Sequence, residues 1–327
     1  MSNEFKWGII GLGNIAKQFA TGLSSAEGCK LHAVASRNLD KANEFGEKFD
    51  ANQCYGSYEE MILTGEVDAI YVASPHTHHL EGTMLCLENN IPVLCEKPLA
   101  VNAKQAQEMF AKAKEKNVFL MEAVWTRFFP LMVELRKLLK DNAIGEVRMV
   151  QADFGFRAGV NPDGRLFNLD LAGGGLLDVG IYTLSMASMI LGKPKRIESM
   201  ADIGSTGVDE QNAVILGYEG GAMAVLTSAI RTQTNHELTI YGTEGSIRVN
   251  TAFWKPTSMA IKSNGKEETI EYPVVGNGYN YEAIEVMNCV QGSKLQSEII
   301  PWDESVAVME TMDDIRKQWG LVYPCEN

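Results

Sequence analysis

The chain has 327 residues, 45% apolar and 22% charged, the size and balance of two globular domains with proper cores. A net charge of −13 argues against nucleic acid or an anionic membrane as partner. No uninterrupted run of ~18 apolar residues occurs, and the polar, acidic opening Met1-Ser2-Asn3-Glu4 leaves no room for a signal peptide, so a cytoplasmic location is expected.

In the first half, short runs rich in Val, Ile and Leu predict buried strands at residues 7–10, 31–36, 68–73, 93–96 and 118–122. Amphipathic segments lie between them. Residues 14–25 carry Ile15, Phe19 and Leu23 at four-residue spacing, and residues 102–117 place Ala103, Ala106, Phe110 and Ala113 on one face. Strand and helix in alternation predict an α/β domain over residues 1–124, a doubly wound parallel sheet of Rossmann type. After that the texture changes, and residues 125–327 are expected to form an α+β domain. It opens with a helix at 131–140, a strand at 146–156, a glycine-rich loop and a helix at 176–191. Strands at 196–203, 212–218, 222–230, 237–241 and 246–250 follow, with turn signals at Gly220-Gly221, Thr243-Glu244-Gly245 and Asn264-Gly265. Such a succession predicts a largely antiparallel open sheet. Helices at 281–289 and 304–319 close the chain. Within 222–230 both faces are apolar, Met223 and Val225 on one, Ala224, Leu226 and Ile230 on the other. That sheet needs a cover on each side, and a homodimer through it is expected, with the terminal helices as the alternative cover.

Gly11-Leu12-Gly13-Asn14-Ile15-Ala16 follows the first strand and opens a helix. Gly11 permits the tight turn, and Gly13 lets the backbone approach a pyrophosphate. Ala16 fills the third glycine position, and the amides of Asn14 and Ile15 offer a helix N-terminus to the phosphates. The second strand ends Ala35-Ser36-Arg37-Asn38. An NAD enzyme usually carries a carboxylate there. Ser36 and Arg37 suit a 2′-phosphate instead, which favours NADP, although nearby Asp40 keeps NAD open.

Cys95-Glu96-Lys97-Pro98 falls at the carboxyl end of the 93–96 strand, the edge where open parallel sheets bind ligands. Pro98 fixes the turn and can take a cis bond. A partly desolvated Lys97 beside a nicotinamide could exchange a proton with a carbinol. Asp178 and Tyr182 stand one helical turn apart after Gly173-Gly174-Gly175, a loop that could let the backbone approach a ligand. A first-turn carboxylate stabilising the helix dipole is the other reading of Asp178. His76, His78 and His79 lack a Cys or carboxylate at ligand spacing, so no metal is expected. Trp125, Phe154, Phe156, Trp254 and Tyr279 are either walls of a substrate pocket or plain core. Cys29, Cys54, Cys86, Cys95, Cys289 and Cys325 show no paired spacing and are expected as reduced thiols.

These motifs, with Ser74-Pro75-His76-Thr77-His78-His79 and Asp178-Val179-Gly180-Ile181-Tyr182, resemble the glucose–fructose oxidoreductase/inositol dehydrogenase (Gfo/Idh/MocA) family over nearly the whole chain. The resemblance implies that Lys97 touches substrate and nicotinamide ribose. It also implies that Ser74, Pro75, His79 and Glu96 lie at the cofactor. The family's commonest pattern has His four residues after the Asp, where this chain has Tyr182. With Glu122-Ala123-Val124-Trp125-Thr126-Arg127-Phe128, that tyrosine resembles a subgroup, the dimeric trans-dihydrodiol dehydrogenases, also described as NADP-dependent D-xylose dehydrogenases. The resemblance implies hydride transfer between NADP and a sugar-like or diol substrate, with Lys97 or Tyr182 as acid/base. A glycosidase with tightly bound NAD and a non-catalytic cofactor-binding sensor are the alternatives.

Overall fold

A computed structural model describes residues 4–64 and 66–326. Met1–Asn3, on which the absence of a signal peptide was argued, lie outside the described residues. The chain divides into two compact units, the first taking residues up to Ala100, then Lys104–Phe128 and Val275–Ser305, the second the remainder.

The first unit holds six parallel strands: β1 (Phe5–Ile10), β2 (Cys29–Ala35), β3 (Gln53–Tyr55), β4 (Ala69–Val72), β5 (Val93–Glu96) and β6 (Leu120–Ala123). Their spatial order is β3-β2-β1-β4-β5-β6, so the winding reverses between β1 and β4. Ligands of open parallel sheets bind in the crevice at that reversal. Every residue of β4, β5 and β6 is buried, which is why these strands read as unbroken apolar runs. Helix α1 (Asn14–Leu23) buries Ala16, Phe19, Ala20 and Leu23, spaced for one face. Phe19 stacks on Tyr71 with ring centroids 3.9 Å apart and meets the edge of Trp7 at 5.0 Å. Each such aromatic stabilises the unit by roughly 1.5–3 kcal/mol through burial. The helices α2 (Leu39–Phe49), α3 (Tyr58–Thr64), α4 (His79–Glu88) and α5 (Ala103–Lys116) connect the strands.

The sequence suggested one unbroken second domain, yet residues 275–305 belong with the first unit. The reason is local packing. Asn277 Nδ2 donates to the Gln18 carbonyl of α1 at 2.7 Å, and a side chain at Gly22 would collide with Tyr279. Trp302 donates from Nε1 to the Leu120 carbonyl at 2.8 Å and stacks on Phe110.

In the second unit eight strands form one sheet. They are β7 (Val147–Gly155), β8 (Arg196–Ile203), β9 (Asp209–Gly217), β10 (Met223–Ala229), β11 (Leu238–Gly242), β12 (Gly245–Val249), β13 (Ser258–Ser263) and β14 (Lys266–Glu271). The order is β14-β13-β12-β11-β7-β10-β9-β8, antiparallel throughout except that β7 runs parallel to β10. The strands β3, β13 and β14 were not expected, although the turn at Asn264-Gly265 between the last two was. β3 has only three half-buried residues, and β14 is exposed at all but one position, so neither shows an apolar run.

The expected helix at 176–191 is present, with a π turn at its start. Leu176–Gly180 forms a π turn, and α7 (Ile181–Leu191) continues from it. By length and composition the stretch Leu169–Leu191 could cross a membrane, but it is 72% buried within the protein, as a core helix is. Asp170, Asp178, Thr183, Ser185 and Ser188 within it are why no continuous apolar run is visible in the sequence. Helices α6 (Pro130–Lys140), α8 (Tyr279–Gln291) and α9 (Trp302–Trp319) complete the fold.

Candidate active site

At the end of β1 the chain turns on Gly11, whose φ of +84° suits glycine and where a Cβ would lie 2.5 Å from the Ser74 backbone nitrogen. Gly13 caps α1 without any side-chain hydrogen bond, no acidic residue stands in the first turn, and open space lies where a Gly13 side chain would be. Across the reversal, Ser74 Oγ is buried and has no hydrogen-bond partner. An uncapped helix N-terminus, a cleared backbone and an orphaned hydroxyl fit the pyrophosphate of a dinucleotide. The Asn14 and Ile15 amides belong to that N-terminus.

Ser36 follows β2, its backbone N–H bonded to Tyr55 and its Oγ accepting from Asn38 N at 3.3 Å. Arg37 beside it is exposed. Asn38 caps α2 through Lys41 N at 3.1 Å, and Asp40 lies in that helix's first turn, where it complements the dipole. The cationic side chain thus stands where the strand ends, and the carboxylate has a structural task of its own.

The peptide Lys97–Pro98 is cis. Two buried side chains hold the loop around it. His79, fully buried, sets Nδ1 2.9 Å from the Pro98 carbonyl and Nε2 2.9 Å from the Ser74 carbonyl, tying the β4 and β5 loops together. Burial pulls its imidazole down to about 4, against the pull of the Pro98, Ser74 and Leu99 backbone. A neutral ring has one N–H, so it donates to one of these carbonyls at a time. Both of its nitrogens are taken up by the protein's own backbone. His76 packs edge-on against it at 5.8 Å. On the other side Glu122 accepts from Leu99 N at 2.9 Å and from Ser305 Oγ at 2.7 Å.

Behind this loop lies an acidic cluster. Glu96 accepts from the Tyr71 hydroxyl and, at 3.1 Å, from Lys97 N. Glu282 of α8 is fully buried with neither carboxylate oxygen hydrogen-bonded, and burial together with Glu96 holds its carboxyl well above the ordinary range. Trp125 and Tyr279 stack nearly parallel at 4.4 Å in the same unit.

In the second unit the π turn carries Asp178, 8% exposed, and α7 carries Tyr182, 7% exposed. Asp178 Oδ1 pairs with Arg165 Nη1 at 2.8 Å. Phe154 of β7 sits 5.4 Å from the Tyr182 ring and stacks on Trp254 at 3.7 Å. His236 closes the group, 5.3 Å from Phe154 and 4.6 Å from Trp254. Phe156 is half-buried and lies in none of these ring contacts. The three glycines do not clear space for a ligand, as the sequence suggested. Side chains there would run into the Arg165 and Leu166 carbonyls and into Asp209.

A family model described as "Oxidoreductase family, NAD-binding Rossmann fold" matches residues 5–124, and the GFO/IDH/MocA C-terminal domain matches residues 132–248. The chain belongs to the GFO/IDH/MocA oxidoreductase family. It is 39% identical over 331 residues to the trans-1,2-dihydrobenzene-1,2-diol dehydrogenase of Mus musculus, covering 98% of each chain. The Homo sapiens enzyme of that name is 36% identical, again over 98% of each. A solved 3-ketoreductase from Actinomadura kijaniata, in complex with NADP and TDP-benzene, is 25% identical with a TM-score of 0.86, over 96% of this chain and 98% of that one. An aldose-aldose oxidoreductase from Caulobacter crescentus shares the fold at a TM-score of 0.88 and 24% identity, over 97% and 98%.

This GFO/IDH/MocA chain places its motif residues in two groups. Gly11, Gly13, Ser36, Arg37, Ser74, Pro75, His79, Glu96 and Lys97 all lie at the carboxyl edge of the first unit's sheet. Asp178, Tyr182, Phe154 and Trp254 gather on the second unit. Sequence reasoning missed Arg165, Asp209, His236 and Glu282. Each looks like an ordinary polar residue in its own neighbourhood, and only its burial or its distant partner marks it.

Proposed function

We propose that the protein transfers a hydride between NADP and a secondary alcohol or hemiacetal of a sugar-like or diol substrate. The observation that carries this reading is Tyr182, a nearly buried phenol on the second unit lined by the Phe154–Trp254 stack. A carbinol releases hydride only as its hydroxyl proton is taken, so an acid/base group must stand within hydrogen-bond reach of that oxygen. Lys97 and Tyr182 are the candidates, with Asp178 orienting the substrate. NADP supplies the hydride acceptor. The relatives named dihydrodiol dehydrogenases support the substrate class, and the NADP complex of the 3-ketoreductase supports the cofactor. Trp125 and Tyr279 belong to the same reading as aromatic wall on the first unit.

Self-association belongs to it as well. On the second unit's sheet Met200, Ile215, Met223 and Tyr241 share one face by register and are 77%, 46%, 40% and 40% exposed. On the opposite face Val214, Leu216, Ala224 and Ile240 are core. A second copy of the chain would cover that apolar surface.

Initial rates with oxidised NADP against trans-dihydrodiols, aldoses and inositols, and with reduced NADP against keto-sugars, test the activity. Reduction of NADP by at least one diol or aldose is expected. No turnover in either direction across the panel would sink the reading.

A further inference from the structure

The glycine loop and the π turn after it meet at one buried carboxylate. Asp209, fully buried at the start of β9, accepts through Oδ2 from the Leu176 backbone N–H at 2.8 Å and from Asn212 Nδ2 at 2.8 Å. Its Oδ1 has no hydrogen-bond partner and faces Gly174. Gly174 stands at φ +116°, and a Cβ there would run into that oxygen, so both the backbone and the close approach demand glycine. From the other side the Tyr323 hydroxyl donates to the Gly173 carbonyl at 3.0 Å. Tyr323 is itself set by its backbone bond to Glu326, which pairs with Arg316 of α9 at 2.7 Å.

Leu176 is the first residue of the π turn. The opening N–H groups of a helix have no acceptor within it, and a fixed outside acceptor determines where the turn begins. Asp178 follows two residues later and Tyr182 one helical turn after that. A buried charge or acid without full hydrogen bonding costs stability, so the site carries a penalty that packing alone does not require.

We propose that Asp209 is a positioning residue that fixes the start of the π turn and thereby the placement of Asp178 and Tyr182. The inference rests on the reading of those two as the substrate-facing groups of the second unit.

The test compares wild type, Asp209→Ala and Asp209→Asn by steady-state kinetics, by NADP binding and by hydrogen exchange of peptides spanning residues 174–182. Asp209→Ala should speed exchange in that segment and lower kcat about 10- to 100-fold, while the NADP Kd stays within about twofold. Asp209→Asn keeps an acceptor oxygen for Leu176 and Asn212 and should return kcat to within about threefold of wild type. Should Asp209→Ala fail to fold, Asn212→Ala removes one of the two donors to the same oxygen and should show the same pattern more weakly. Unchanged exchange in the segment, or an Asn variant as impaired as Ala, overturns the proposal. Faster exchange with unaltered kcat leaves the anchor standing and sinks instead the reading of Asp178 and Tyr182.

Discussion

Arg165 Nη1 and Asp178 Oδ1 lie 2.8 Å apart, with the carboxylate side chain 11% exposed and the guanidinium 43%. The sequence offered the helix dipole as the simplest partner for Asp178, and the structure adds a cation from the preceding loop. Half-exposed pairs of this kind contribute under about 1 kcal/mol to stability, so Arg165→Met should barely move the melting temperature. The variant should instead lower kcat/KM for the substrate about tenfold, because Asp178 loses the contact that orients it. NADP affinity should stay as it was. An unaltered kcat/KM would show that Asp178 needs no such partner.

The proposed use of NADP is tested at Arg37, exposed at the end of β2 with Asp40 engaged in the first turn of α2. A charge-assisted contact to a 2′-phosphate is worth roughly 1.5–3 kcal/mol, or about ten- to a hundred-fold. Arg37→Ala should therefore raise the apparent KM for NADP by that factor and leave the KM for NAD almost unchanged. Equal effects on the two cofactors, or a wild-type preference for NAD, would exclude the assignment.

How much of this was legible in the sequence depended on range. β1, β4, β5 and β6 are buried along nearly their whole length, so their apolar runs stand out unaided. The places of Gly11 and Lys97 just after β1 and β5 were legible because turn chemistry and strand ends are local. The attachment of residues 275–305 to the first unit was not, since it depends on Asn277 reaching Gln18 across the chain. Asp209 and Glu282 gave no local sign either. An acidic residue in a turn or on a helix ordinarily faces water, and only the fold reveals that these two are fully buried.

The outer face of the sheet offers a test of assembly. Register places Val225 opposite Ile215 on the same side as exposed Met223, whereas Leu226 points into the core at 1% exposure. Val225→Asp should leave the fold intact and convert a dimer to monomer in sedimentation, because an unpaired charge would be buried at the contact. Leu226→Asp should unfold the protein instead. A wild-type monomer at micromolar concentration would remove the argument.

Asp209 also predicts a pH effect on stability. Burial pushes its carboxyl up to about 7, from an ordinary 3.8. A carboxyl raised on folding favours the native state most when protonated. That contribution is complete below the unfolded pKa and is lost as pH rises toward and through 7. Asp209→Asn cannot ionise, so its stability relative to wild type should improve between pH 5 and pH 8, by at most about 3 kcal/mol. Parallel denaturation curves for the two proteins over that range would contradict it.

The mechanism gives the sharpest prediction. Lys97 leaves β5 in a loop braced by His79 and Glu122, so its replacement should not disturb the turn at Gly11 and Gly13. Lys97→Met should cut kcat by roughly a hundred-fold or more, the usual scale of general acid/base catalysis. Its NADP affinity, measured by fluorescence or calorimetry, should change far less. Tyr182→Phe then separates the two candidates. An ordinary phenol ionises near pH 10 and would need a neighbouring cation to serve as base near neutrality. A large loss of kcat with a flattened pH profile in Tyr182→Phe makes Tyr182 the proton carrier, whereas a small loss leaves Lys97 alone in that role. Near-normal turnover by folded Lys97→Met on the identified substrate would rule out the catalytic reading of Glu96-Lys97-Pro98.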